Sequence, residues 1–99
     1  MTTEPVRASS DWLALREPAD AAARSVELVD MLRPYLPNDP LEIHDLGCGT
    51  GSMARWLAGQ LPGPQKWVLH DRDAELLEVA AASPPAQAAD GTAVTVETR

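Results

Sequence analysis

Phenylalanine is absent from this 99-residue chain, cysteine occurs once (Cys48) and lysine once (Lys66). Each scarcity excludes something. One cysteine rules out an internal disulfide framework and a cysteine-based zinc site. A single lysine, scattered arginines and a net charge of −7 argue against nucleic acid held by bulk electrostatics. No stretch approaches the ~18 apolar residues that span a bilayer. Met1 to Ser10 has no apolar core of the kind a secretory signal needs. The expected setting is cytoplasmic, without a membrane partner. Hydrophobic residues are 44% of the chain, but sixteen of them are Ala, while Val, Leu and Ile together supply 20. That supports one small domain with a thin core.

What is present is an alternation of two periodicities. Met1 to Ser10 is polar and reads as a fraying terminus. Asp11 to Leu15 predicts a short helical turn, and Pro18 stands where a helix can start, since its missing N–H is unneeded there. From Asp20 the apolar residues Ala22, Val26, Val29, Leu32 and Leu36 recur at steps of three and four, predicting a helix that ends or kinks near Arg33, before Pro34. Pro37 to Pro40 reads as a loop. Leu41 to Leu46 is a short strand that runs into a glycine-rich loop. Ser52 to Leu61 reads as a helix stopped by Pro62-Gly63-Pro64. Lys66 to His70 reads as a second strand. Asp73 is placed to cap a helix that continues to about Ala82. Ala93 to Glu97 alternates and carries β-branched residues, as a third strand does. Strands alternating with helices imply an α/β fold with parallel pairing, half of a doubly wound sheet.

Asp45 to Ser52 is the chemically informative stretch. Glycines at Gly47, Gly49 and Gly51 permit backbone geometry that a Cβ blocks and let a ligand approach the main chain. The loop ends at a helix N-terminus, whose free N–H groups favour acceptor atoms. About twenty residues on, Asp71 stands at the end of the second strand, where a carboxylate can accept both hydroxyl hydrogens of a ribose. Together they describe a pocket for an adenosine-containing ligand. The dinucleotide fingerprint needs glycine where Ser52 stands, and the P-loop needs a lysine that the loop lacks. A ligand with adenosine and no phosphate fits better.

At these residues the chain resembles the class I S-adenosylmethionine-dependent methyltransferases. Their first motif, an acid followed by x-G-x-G-x-G, stands here as Asp45-Leu46-Gly47-Cys48-Gly49-Thr50-Gly51, and their second-strand acid as Asp71. The resemblance covers residues 41–82 and, less closely, the preceding helix. It implies a Rossmann-like three-layer sandwich of which this chain holds the first three parallel strands, in order 3-2-1, ending before the fourth. It divides the chain into a segment 1–19 and the N-terminal half of a cofactor-binding domain, 20–99. S-adenosylmethionine is the implied cofactor. The resemblance places the Gly47, Cys48, Gly49 and Gly51 loop beside its methionine portion, Asp45 near its amino group, Asp71 on the ribose and Arg72 beside the adenine. The methyl acceptor, a small molecule for preference, falls to residues beyond this stretch. The chain alone is then expected to be inactive, and to self-associate through strand 41–46, which lacks its usual second neighbour. The alternative is a non-catalytic Rossmann-like module binding a nucleotide or a protein. His44 and His70 read as structural, Cys48 as a small loop residue without a partnered base, Trp12, Trp56 and Trp67 as packing, and Arg16 and Arg24 as solvated surface.

Overall fold

The computed structural model describes residues 9–37 and 40–99. The readings of the polar terminus over residues 1–8 and of the loop at Asn38-Asp39 lie outside the described residues. The chain forms α1 (Ser10–Ala23), α2 (Val26–Leu32), a 3₁₀ turn (Arg33–Tyr35), β1 (Leu41–Leu46), α3 (Ser52–Leu57), a second 3₁₀ turn (Ala58–Gln60), β2 (Gln65–His70), α4 (Ala74–Ala82) and β3 (Val94–Thr98). The three strands make one parallel sheet with β2 in the middle.

The leading helical region differs from its expected form. Ser9 accepts a hydrogen bond from the Trp12 N–H at 3.1 Å, so the helix starts early and passes through Pro18 instead of beginning there. α1 is therefore continuous across residues 19 and 20. It then stops at Arg24. Ser25 has extended backbone, and its hydroxyl accepts from the Leu28 N–H at 3.1 Å, capping a separate α2. Arg33 ends α2 as expected, with Pro34 in the first turn of the 3₁₀ segment that follows. The helix expected over 52–61 is α-helical only to Leu57 and tightens to 3₁₀ in its last turn. Asp73 caps α4, accepting from the Glu75 and Leu76 N–H groups.

β1 pairs with β2 from Leu41↔Gln65 to Leu46↔His70, and β2 with β3 from Gln65↔Val94 to Leu69↔Thr98. Residues opposite one another share a face. Ile43, Trp67 and Val96 therefore point one way, together with Gln65 and Leu69. Onto that face pack Ala54 and Ala58 from the α3 region and Ala80 from α4, around Trp67 and Leu69. Val29 of α2 joins Leu41 and Leu61 in a second cluster. The opposite face carries Glu42, His44, Leu46, Lys66 and His70. Val68, central on this second face, is also fully buried, but among the described residues the packed helical side chains lie on the first. The reason is directional: crossovers of the usual hand that step the same way across a parallel sheet place their helices on the same face.

One buried polar network locks the helical layer to the sheet. Gln65 is only 2% exposed. Its side-chain amide donates to the carbonyls of Ala58, Leu61 and Pro62 at 3.0, 3.0 and 3.1 Å, and its oxygen accepts the Trp67 indole N–H at 2.7 Å. The Pro62 carbonyl is thereby satisfied from the first residue of β2, and the carbonyls of Ala58 and Leu61, which also accept the Leu61 and Ala89 N–H groups, gain a second donor.

Candidate functional site

The glycine-rich loop leaves the C-terminal end of β1 and is fastened to the end of β2. The N–H groups of Gly47 and Cys48 both donate to the His70 carbonyl, at 2.7 and 2.9 Å. The next N–H, that of Gly49, donates to Asp71 Oδ2 at 2.9 Å. Successive N–H groups can converge in this way only if the chain turns through left-handed backbone, and Gly47 has φ +81°. Nothing lies within 4 Å of where a Cβ on Gly47 would stand, so that glycine serves the turn and leaves its surroundings open. Gly51, at φ +87°, opens α3 without a side-chain cap, close against Ala80.

Asp71 holds two pieces of backbone. Oδ2 takes the Gly49 N–H, and Oδ1 takes the Asp73 N–H at 2.8 Å. A carboxylate has about four acceptor positions, so each oxygen keeps capacity for one further donor. Asp45 differs. Its Oδ2 is enclosed and has no hydrogen-bond partner. Burial pushes the Asp45 carboxyl above its usual range, Arg24 opposes this, and the nearby Asp71 charge adds to it. An enclosed acceptor without a donor has free capacity for a cationic or N–H-bearing group.

Beside the loop, at the C-terminal ends of the strands, lies an open depression of about 470 Å³, lined by Leu46, Gly47, His70, Asp71, Arg72 and Arg99. Of the residues singled out from sequence, Gly47, Asp71 and Arg72 line it. Cys48 and Gly51 are buried within the loop, and Asp45 and Gly49 are half-buried behind it. The pKa of the Cys48 thiol is raised to about 11, first by burial and then by the Asp45 and Asp71 charges. That keeps it protonated and unsuited to nucleophilic work.

Several contributors escaped the sequence reading. Leu46, His70 and Arg99 line the depression, and only the strand register brings them there. His70 Nε2 lies 2.9 Å from His44 Nδ1, the rings stack at 5.2 Å, and His44 Nε2 meets Glu42 at 3.1 Å. Arg24 does not project freely into solvent. It donates to the Ser52 carbonyl and hydroxyl at 3.3 and 3.2 Å and lies over Trp56. Arg55 donates to Glu17 at 2.6 and 2.8 Å, holding that carboxyl below its usual range, and to the carbonyls of Thr50 and Ser83. Arg24 thus ties the α1–α2 break to the start of α3, and Arg55 of α3 ties Glu17 of α1 to the end of the glycine loop at Thr50. Among the described residues there is no group of three or more metal-ligating side chains, and no helix is long and apolar enough to cross a membrane.

No protein-family model matches the chain, and no curated protein and no solved structure matches it.

Proposed function

We propose that this chain is the S-adenosylmethionine-binding portion of a class I methyltransferase. The observation that carries the reading is the enclosed, partnerless Asp45 oxygen behind a glycine loop whose next anchor is Asp71, just past the end of the neighbouring parallel strand. S-adenosylmethionine presents an ammonium, a ribose diol and no phosphate. Asp45 would hold the ammonium, regaining the charge partner its burial denies it. Asp71 would accept the ribose hydroxyls through the lone pairs that its two backbone donors leave free. Gly47 would allow close approach, and Arg72 would flank the adenine. The strand order β1-β2-β3 and the single-sided helices are what the first three strands of a Rossmann-like sheet require.

When bound, the sulfonium supplies an activated methyl group for in-line displacement. The residues described here bind and orient it. In this reading His70 Nε2 meets His44, and the Asp71 oxygens serve backbone N–H groups and the ribose, so both residues are assigned to binding and support. The chain is accordingly assigned cofactor binding, with turnover requiring groups other than these. Titration calorimetry with S-adenosylhomocysteine tests the reading. Saturable binding is expected, weakened about tenfold or more in Asp45→Asn by loss of a charge-assisted contact, with no binding of NAD. Binding of NAD without S-adenosylhomocysteine would replace this reading with a dinucleotide-dependent one.

A further inference from the structure

The Leu41 N–H donates to the Pro64 carbonyl at 3.0 Å, and the Gly47 N–H to the His70 carbonyl at 2.7 Å. In a parallel ladder alternate residues of a strand bond to the same neighbour. Leu41, Ile43 and Asp45 therefore turn their backbone groups toward β2, while Glu42, His44 and Leu46 turn theirs outward. Among the described residues no strand pairs with that side. The side chains of Glu42 and His44 are exposed, and Leu46 is 80% exposed. Along the same border, α2 and its 3₁₀ turn pack Val29 and Leu36 near Leu41 while leaving Leu28, Met31, Leu32 and Tyr35 exposed.

We propose that this edge pairs with the same edge of a second copy of the chain, antiparallel, with Ile43 on the twofold axis. An isologous antiparallel pair that keeps the helices of both copies on one side must match residues of the same parity. Two centrings suit the length of β1. Centring on His44 sets His44 against its own image and Glu42 against Leu46. Centring on Ile43 sets Glu42 against the partner's His44, twice over, and Ile43 against the partner's Ile43. Glu42 and the partner's His44 then exchange both backbone hydrogen bonds while their side chains, acceptor and donor, lie on the polar face. His44 Nε2 already meets its own Glu42 at 3.1 Å, so the second register sets two such carboxylate–imidazole pairs side by side across the axis, and this hydrogen-bond complementarity with the apolar Ile43 contact selects it. The exposed apolar side chains of α2 add area that a six-residue strand lacks.

Sedimentation equilibrium of the 99-residue chain from about 1 to 100 µM tests this, because self-association follows mass action. A monomer–dimer equilibrium is expected. His44→Glu, which sets a carboxylate at that position against the partner's Glu42, should weaken the dimer about tenfold or more. The double variant Glu42→Lys with His44→Glu should restore it. In the His44-centred register the double variant still brings the two new carboxylates face to face across the axis and stays weak. On the unmodified chain, amide exchange at Glu42, His44 and Leu46 should slow as concentration rises. A monomer at the highest concentration, a dimer indifferent to His44→Glu, or concentration-independent exchange at these amides overturns the proposal. Failure of the double variant to recover overturns the register. All of these measurements are made without ligand, so they leave the cofactor reading to its own experiment.

Discussion

Asp71→Asn separates what that carboxylate does for the fold from what it does for a ligand. The native side chain accepts the Gly49 N–H at 2.9 Å with one oxygen and the Asp73 N–H at 2.8 Å with the other. Asparagine keeps one carbonyl oxygen and turns an NH₂ group toward the remaining backbone N–H, so one bond is lost and two donors face each other. Hydrogen bonds to charged acceptors contribute about 1.5–3 kcal/mol each, and the surviving bond becomes a neutral one of about 1 kcal/mol. Asp71 is half-buried, and water will recover part of the loss. The expected destabilisation is about 2 kcal/mol. For a domain of this size that lowers the melting temperature by roughly 8–16 °C. Trp67, 1% exposed in the core, provides the fluorescence signal for urea unfolding. The midpoint should fall with an unchanged slope, in the absence of any ligand. An unmoved midpoint would show that the two backbone bonds carry no net stability, and that Asp71 is free for ligand alone.

Two further outcomes rest on buried groups. Gln65→Leu strands the Trp67 indole N–H and the Pro62 carbonyl, and takes one of two donors from the carbonyls of Ala58 and Leu61; it should cost about 2–4 kcal/mol in urea unfolding, and a loss below ~1 kcal/mol would mean that water replaces the network. With its pKa at about 11, above its unfolded value, Cys48 contributes stability that is complete below about pH 8.5 and lost as pH rises through 11; iodoacetamide labelling of the folded chain should be slow at pH 8, where only about one thiol in a thousand is ionised, and rapid labelling there would contradict the burial.

Local pattern was sufficient where a segment's partners are its own neighbours. The apolar alternation of Leu41 to Leu46, the glycines after it and the Asp73 cap all report on contacts a few residues away, and β1 and α4 stand where those signals put them. The pattern failed where the deciding contact is distant. Nothing near Arg24 announces that its guanidinium docks on Ser52, 28 residues on, yet this contact lies at the break between α1 and α2. Pro18 read as a start because the cap at Ser9 gave no comparable signal. Gln65 fell just outside the strand expected from Lys66, because only the assembled fold brings three carbonyls to one side of it and an indole to the other. For the site, spacing identified the loop and Asp71, but the His44–His70 contact needed the register of two strands.

β1 both delivers the glycine loop and presents an edge that no strand pairs with among the described residues, so the two proposals meet at Leu46. That residue lines the depression and turns its backbone outward. In the register centred on Ile43, Leu46 donates to the carbonyl of the partner's Pro40, which sets a second chain beside the open wall of the depression. Enclosing a site removes water from it and strengthens the polar contacts inside. Ligand binding and self-association should therefore favour each other, and linkage requires the effect to be reciprocal. S-adenosylhomocysteine should bind more tightly at about 100 µM chain than at about 1 µM, and saturating ligand should strengthen dimerisation by the square of the dimer-to-monomer affinity ratio, because each dimer carries two sites. Equal affinity at both concentrations, across a range where the oligomeric state changes, would refute the coupling and place the second copy away from Leu46.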